Sequence, residues 1–114
     1  MEKSEYIQIQ DEAWELIESY TDTENKTYAV EALKKLSALK IAVDNGKNVL
    51  LYQQAKTLLG IAMCLVFLDD SVDALKVFNE LENLTPSFLT PRKDELKRLQ
   101  KLGREFKAEC FDLN

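Results

Sequence analysis

The chain has 114 residues, 46% of them hydrophobic and 31% charged, which suits one globular domain around a single core. It carries 15 Lys+Arg against 20 Asp+Glu, a net charge of −5 that argues against a nucleic-acid or anionic-membrane partner. The absence of histidine removes Ser-His and Cys-His catalysis and histidine-ligated zinc, and three glycines with two prolines are too little punctuation for a many-stranded fold.

Long helices are therefore expected, and apolar spacing supplies five. The first runs from about residue 4 to 20, with Tyr6, Ile9, Ala13, Ile17 and Tyr20 at steps of three or four, Trp14 and Leu16 flanking, and acids outside. Thr21 to Asn25 is rich in cap formers. A second helix over 26–43 places Ala29, Ala32, Leu33, Leu36, Leu39 and Val43 on one side, and Asp44-Asn45-Gly46 closes it.

The third helix, over 47–68, has no polar face from Leu58 to Leu68. Eleven apolar residues are too few for a bilayer, which needs about 20. The segment reads as a central helix buried all round. Asp69-Asp70-Ser71 caps a fourth helix over 71–84, which turns Ala74, Leu75, Phe78 and Leu81 inward and stops at Thr85-Pro86. Thr90-Pro91 is expected to open the fifth helix, 91–109, with proline at its first position and Leu96, Leu99, Gly103, Phe106 and Cys110 as its inner stripe. Short connections make neighbours antiparallel. The expected architecture is all-α, a five-helix antiparallel hairpin array, either superhelical or a compact bundle.

Charge is unevenly placed. Residues 1–25 hold eight acids and one base, whereas residues 92–109 hold seven bases and four acids. The two ends are complementary, so they are either two solvated faces or docking partners, within a chain or between chains. Cys64 and Cys110 show no metal or redox spacing, and no secretory signal opens the sequence, so a reduced cytoplasmic protein is expected.

The stretch from Leu58 to Pro86, LLGIAMCLVFLDDSVDALKVFNELENLTP, resembles one tetratricopeptide (TPR) repeat, a helix pair that stacks into superhelical interaction scaffolds. Ala62, Ala74, Phe78 and Pro86 meet that family's spacing. Ala62 stands where the family prefers glycine, Leu58 and Leu65 take its aromatic places, Asp69-Asp70 holds its Gly-Asp turn, and Leu81 replaces a small residue. The segment VEALKKLSAL at 30–39 is similar to VDALKVFNEL at 72–81, offset by 42 residues rather than the family's 34. The resemblance implies two helix pairs, a final solvating helix and a role in protein–protein contact.

Several residues invite a chemical reading. Asp11, Glu15 and Glu18 share a helical face, but without a Glu-x-x-His signature they read as a solvated surface. Asp69, Asp70 and Asp73 lack the glycine and closing glutamate of a calcium loop, so they read as caps. Neither Gly60 nor Asn45-Gly46 makes a phosphate loop. No metal or cofactor is expected. The basic face of Lys93, Lys97, Lys101 and Arg104 could meet phosphates or an acidic protein, or be solvated and acid-paired. The second stripe of the third helix, Tyr52, Lys56, Leu59, Met63, Val66 and Phe67, must be covered by something. Its cover is the first and last helices, a second copy or a partner segment. The expectation is a non-enzymatic module, an adaptor, assembly chaperone or regulator, that binds a protein partner on this face. The alternatives are an obligate homodimer with the face buried between twins, and a regulator whose basic last helix meets nucleic acid.

Overall fold

The computed structural model describes residues 3–111, and within them the chain forms five helices and no strand. They are α1 (Lys3–Thr23), α2 (Lys26–Asp44), α3 (Leu51–Phe67), α4 (Ser71–Glu82) and α5 (Lys93–Phe111). The fold is all-α, with every consecutive pair of helices packed together.

Local chemistry sets most of the ends. Asn25 caps α2 by accepting from the Thr27 amide at 3.0 Å, and Asp70 caps α4 by accepting from the Asp73 amide at 3.2 Å. After α2 the chain reverses through Gly46, whose φ of 102° is the left-handed conformation that glycine adopts without a Cβ penalty. Several boundaries differ from the sequence expectation: the first helix runs on to Thr23 rather than ending at Tyr20, the fourth ends at Glu82 rather than Leu84, and two starts move. The third helix starts at Leu51 rather than Lys47, because residues 47–50 span the gap after the Gly46 reversal. The Leu50 amide donates to Gln53 Oε1 at 3.3 Å across that start. Pro91 does not open the fifth helix: Arg92 takes a φ of 55°, and α5 begins at Lys93.

Packing organises these helices into two layers. Helices α1, α3 and α5 lie side by side, α2 packs between α1 and α3, and α4 packs between α3 and α5. The α2 and α4 backbones do not meet, but Lys40 of α2 reaches Glu80 of α4 at 3.4 Å, so both lie on the same side. Overall extents of 38 × 34 × 22 Å fit two layers of helices. α3 touches all four other helices. Its residues Thr57 to Ala62 are buried without a break, as is Cys64, whereas Met63 and residues 65–68 are half-buried. The expectation of a helix buried all round therefore holds for its middle and relaxes at its C-terminal end.

Close approach to α3 depends on what is missing at Gly60. A Cβ there would lie 2.6 Å from Leu36 Cδ1 and 3.4 Å from both Ile17 Cδ1 and Trp14 Cε2. The glycine lets α1 and α2 close over the same turn of α3. Polar groups fix the register along this contact. Tyr6 Oη and Thr57 Oγ1 share a hydrogen bond of 2.7 Å, and Gln10 Nε2 donates to both Gln53 O and Thr57 Oγ1 at 2.8 Å. Tyr6 and Thr57 are fully buried, so their hydroxyls have little recourse to water if the network is broken.

Thr57→Val removes a hydroxyl that serves two partners, leaving Tyr6 Oη unpaired and one Gln10 N–H without its acceptor. It is expected to cost about 2–4 kcal/mol, whereas Tyr6→Phe, which leaves Gln10 bonded to Thr57, should cost about 1 kcal/mol. Urea unfolding of the two variants beside the wild type measures the difference. Equal costs would mean that Gln10 is not held through Thr57.

Candidate functional site: an apolar groove across three helices

The α1/α3/α5 layer has an outer face that neither α2 nor α4 covers. A groove of about 330 Å³ lies in it, lined by Trp14 of α1, Lys56, Leu59 and Met63 of α3, and Arg98, Leu99, Leu102 and Phe106 of α5. The α1 and α5 backbones do not meet, so α3 forms the floor between two walls. The walls approach α3 where side chains are small. A Cβ on Gly103 would lie 2.6 Å from Leu81 Cδ2 of α4 and 3.8 Å from Leu59 Cδ1 of α3, so α5 settles into the α3–α4 cleft at that point.

The six residues expected to carry the contact surface divide among three settings. Lys56, Leu59 and Met63 line the groove, Leu59 as buried floor and the other two half-buried. Tyr52 lies at one end, beneath Arg92: the guanidinium carbon is 4.4 Å from the ring centroid and Nη1 donates to Tyr52 Oη at 3.1 Å. Phe67 at the other end is covered within the chain. It stacks on Tyr20 with centroids 4.3 Å apart and meets Phe106 edge-on at 6.1 Å. Val66 is half-buried against the core.

Trp14, Arg98 and Leu102 belong to the groove and were not singled out from sequence. Trp14 could have been found, because it is the sole tryptophan and sits off the inner stripe of its helix. Its Nε1 is the one buried side-chain nitrogen or oxygen without a hydrogen-bond partner among the described residues. Arg98 is bound to Glu95 through two bonds of 3.1 and 2.6 Å, and this guanidinium holds the Glu95 carboxyl below the usual glutamate range. Leu102 is 39% exposed.

The four residues of the basic face have different surroundings. Arg104 pairs with Glu82 of α4 at 2.9 Å, Lys101 with Glu105 at 3.9 Å, and Lys93 lies 6.0 Å from the Phe88 ring. Lys97 is exposed with no ion pair among the described residues. Among the described residues no ion pair joins the acidic start to the basic finish: Glu12 pairs with Lys35 of α2 at 3.3 Å, and the α1 and α5 backbones do not meet. These exposed pairs contribute about 0–1 kcal/mol each.

A second cleft of about 340 Å³ lies on the opposite face, between α2 and α4. Several of its polar groups have partners within the chain. Lys40 bridges Asp44 at 3.1 Å and Glu80 at 3.4 Å, Tyr6 bonds Thr57, and Gln54 Nε2 donates to Val49 O at 3.1 Å. Among the described residues no group of three or more His, Cys, Asp or Glu converges as for a metal, and no helix is long and apolar enough to cross a membrane. No family model matches this chain, and no curated protein or solved structure is significantly similar to it.

Burial sets the thiol chemistry. It pushes Cys64 up from 9.0 to about 12, and it also raises Tyr6 above 10.0, against the opposing effect of the Thr57 hydrogen bond. Both groups are held neutral by the fold. Their folded pKa values exceed the unfolded ones, so the stabilisation is complete below the unfolded values and is lost as pH rises through the folded ones. The denaturation midpoint is therefore expected to fall between about pH 9 and 12, and Cys64→Ala should flatten the part of that fall which begins near 9. An unchanged alkaline slope in that variant would refute the assignment.

Proposed function

We propose that this chain is a non-enzymatic protein–protein interaction module that takes apolar side chains of a partner helix or peptide into the α1/α3/α5 groove. The single observation that carries the reading is the groove itself. α3 is enclosed by four helices and still leaves Met63, with Trp14, Leu99, Leu102 and Phe106, around an unfilled apolar channel of about 330 Å³. At about 25 cal/mol per Å² of apolar surface, filling such a channel is a direct source of binding free energy. Met63 on the floor suits a contact that has to adapt in shape.

The TPR-like reading supports the same role. Ala62, Ala74 and Phe78, which meet that family's spacing, are all buried in the core. Leu81, where the family prefers a small residue, is accommodated by the missing side chain of Gly103 on the following helix. Roles as an adaptor, assembly chaperone or regulator in the cytoplasm are compatible with such a module. A nucleic-acid role is less favoured, because Arg104 and Lys101 already have acidic partners and the chain is net acidic.

Leu102→Glu places a charge at an exposed groove position without touching the buried core. The variant is expected to keep the wild-type helical circular dichroism and to lose a partner that the wild type retains on affinity capture from its native host. Emission of the sole tryptophan, in the groove wall, should shift to the blue when partner fills the channel. Undiminished capture by the variant would sink the proposal.

A further inference from the structure

The most exposed large apolar residues among those described are neighbours: Phe88 at 88% and Leu89 at 81%, at the tip of the connection between α4 and α5. This tip is a built turn. The Thr90 amide donates to Ser87 O at 3.1 Å, the Ser87 amide to Thr90 Oγ1 at 2.7 Å, and the Leu89 amide to Ser87 Oγ at 3.3 Å. Pro86 and Pro91 bracket it, and Arg92 ties its exit to Tyr52. Central turn positions ordinarily go to Gly, Asn, Asp or Pro, whereas here they present a phenyl ring and an isobutyl group to water. Holding them there in advance lowers the ordering cost of docking them elsewhere.

The same chain contains a receptor that fits. A sealed cavity of about 150 Å³ accommodates a benzene ring, so a groove of about 330 Å³ has room for a phenyl ring and a leucine side chain together. The turn does not fill its own groove, since both residues are exposed in the folded chain. Charge placement bears on the contact as well: Lys93 lies beside Phe88, Asp11 and Glu18 stand at i−3 and i+4 from Trp14 on α1, and the charged residues lining the groove itself are Lys56 and the Glu95-paired Arg98. Both acids are exposed, and neither enters an ion pair among the described residues.

We propose that the Phe88–Leu89 turn of one copy seats in the α1/α3/α5 groove of a second copy, with Lys93 against the acidic rim of the second copy's α1. This inference rests on the groove being a docking site and names its occupant. Each copy carries both halves of the contact, and insertion of each turn into the other copy's groove makes the pair a closed two-fold dimer rather than a head-to-tail chain. The complementarity of the acidic first segment and the basic last one then acts between chains.

Sedimentation of the wild type over a range of concentrations tests this directly, alongside Phe88→Ser/Leu89→Ser and Leu102→Glu. The wild type is expected to dimerise, and each variant to weaken the dimer about thirtyfold or more with unchanged helicity. The turn variant keeps an intact groove and the groove variant an intact turn, so an equimolar mixture should associate through one contact where neither variant alone does. A wild type that stays monomeric overturns the inference, and the groove reading is then decided by partner capture with Leu102→Glu. A dimer broken by Leu102→Glu but not by the turn variant also overturns it while leaving the groove as an interface. A dimer unaffected by either variant counts against both.

Discussion

A helix without a polar face has to be surrounded, and the position of every other helix follows from how α3 meets that demand. Its middle turns, Thr57 to Ala62, are buried without a break. Four neighbours can crowd around one helix only if some contacts are made nearly backbone to side chain. Gly60 permits this for α1 and α2, and Gly103 permits it for α5 against Leu81 and Leu59. Both glycines cost helix propensity, about 1 kcal/mol each relative to alanine. That cost is offset by the apolar surface which close approach removes from water.

Burial on this scale leaves few degrees of freedom, and polar groups remove most of those that remain. The hydrogen bonds of Tyr6 and Gln10 to Thr57 and Gln53 lock α1 to α3 in one register, because sliding by a turn would strand buried donors. At the opposite end of α1, Tyr20 stacks on Phe67, so the two helices are pinned at both ends. The arrangement explains why the groove is where it is. The α1 and α5 backbones each reach α3 but not each other, and the channel is the space that the two walls leave over a common floor. A groove formed by three fixed helices is also more defined than one made by loops, which suits recognition by shape.

Much of the fold was legible residue by residue. Apolar spacing identified all five helices, and the cap formers at Asn25, Asp70 and Gly46 marked real boundaries, because capping is a local interaction between residues two to three apart. Pro91 misled for the converse reason. Proline suits a first helical turn, but Arg92 leaves the helical conformation and packs on Tyr52, a contact 40 residues away in sequence. The candidate site was half legible. Lys56, Leu59 and Met63 follow from the second stripe of α3, and the first and last helices were one of the covers expected for it; that Tyr20 and Phe106 are the residues that meet half-buried Phe67 depended on contacts far apart in sequence.

The sequence by itself determined that this is a histidine-free, net-acidic, five-helix chain with a central helix too apolar to be exposed and too short to cross a bilayer, because composition and periodicity act within single segments. Tertiary structure alone decided which faces of that helix were covered. It brought Trp14, Leu102 and Phe106 to one channel, left the basic stripe partly paired with α4 and Glu105, and set Phe88 and Leu89 outward on a hydrogen-bonded turn. The physical reason is that a helix's pattern specifies which side is apolar but not which neighbour meets it. That choice depends on close approach at Gly60 and Gly103 and on buried hydrogen bonds, and both are properties of residues that meet only in the folded chain.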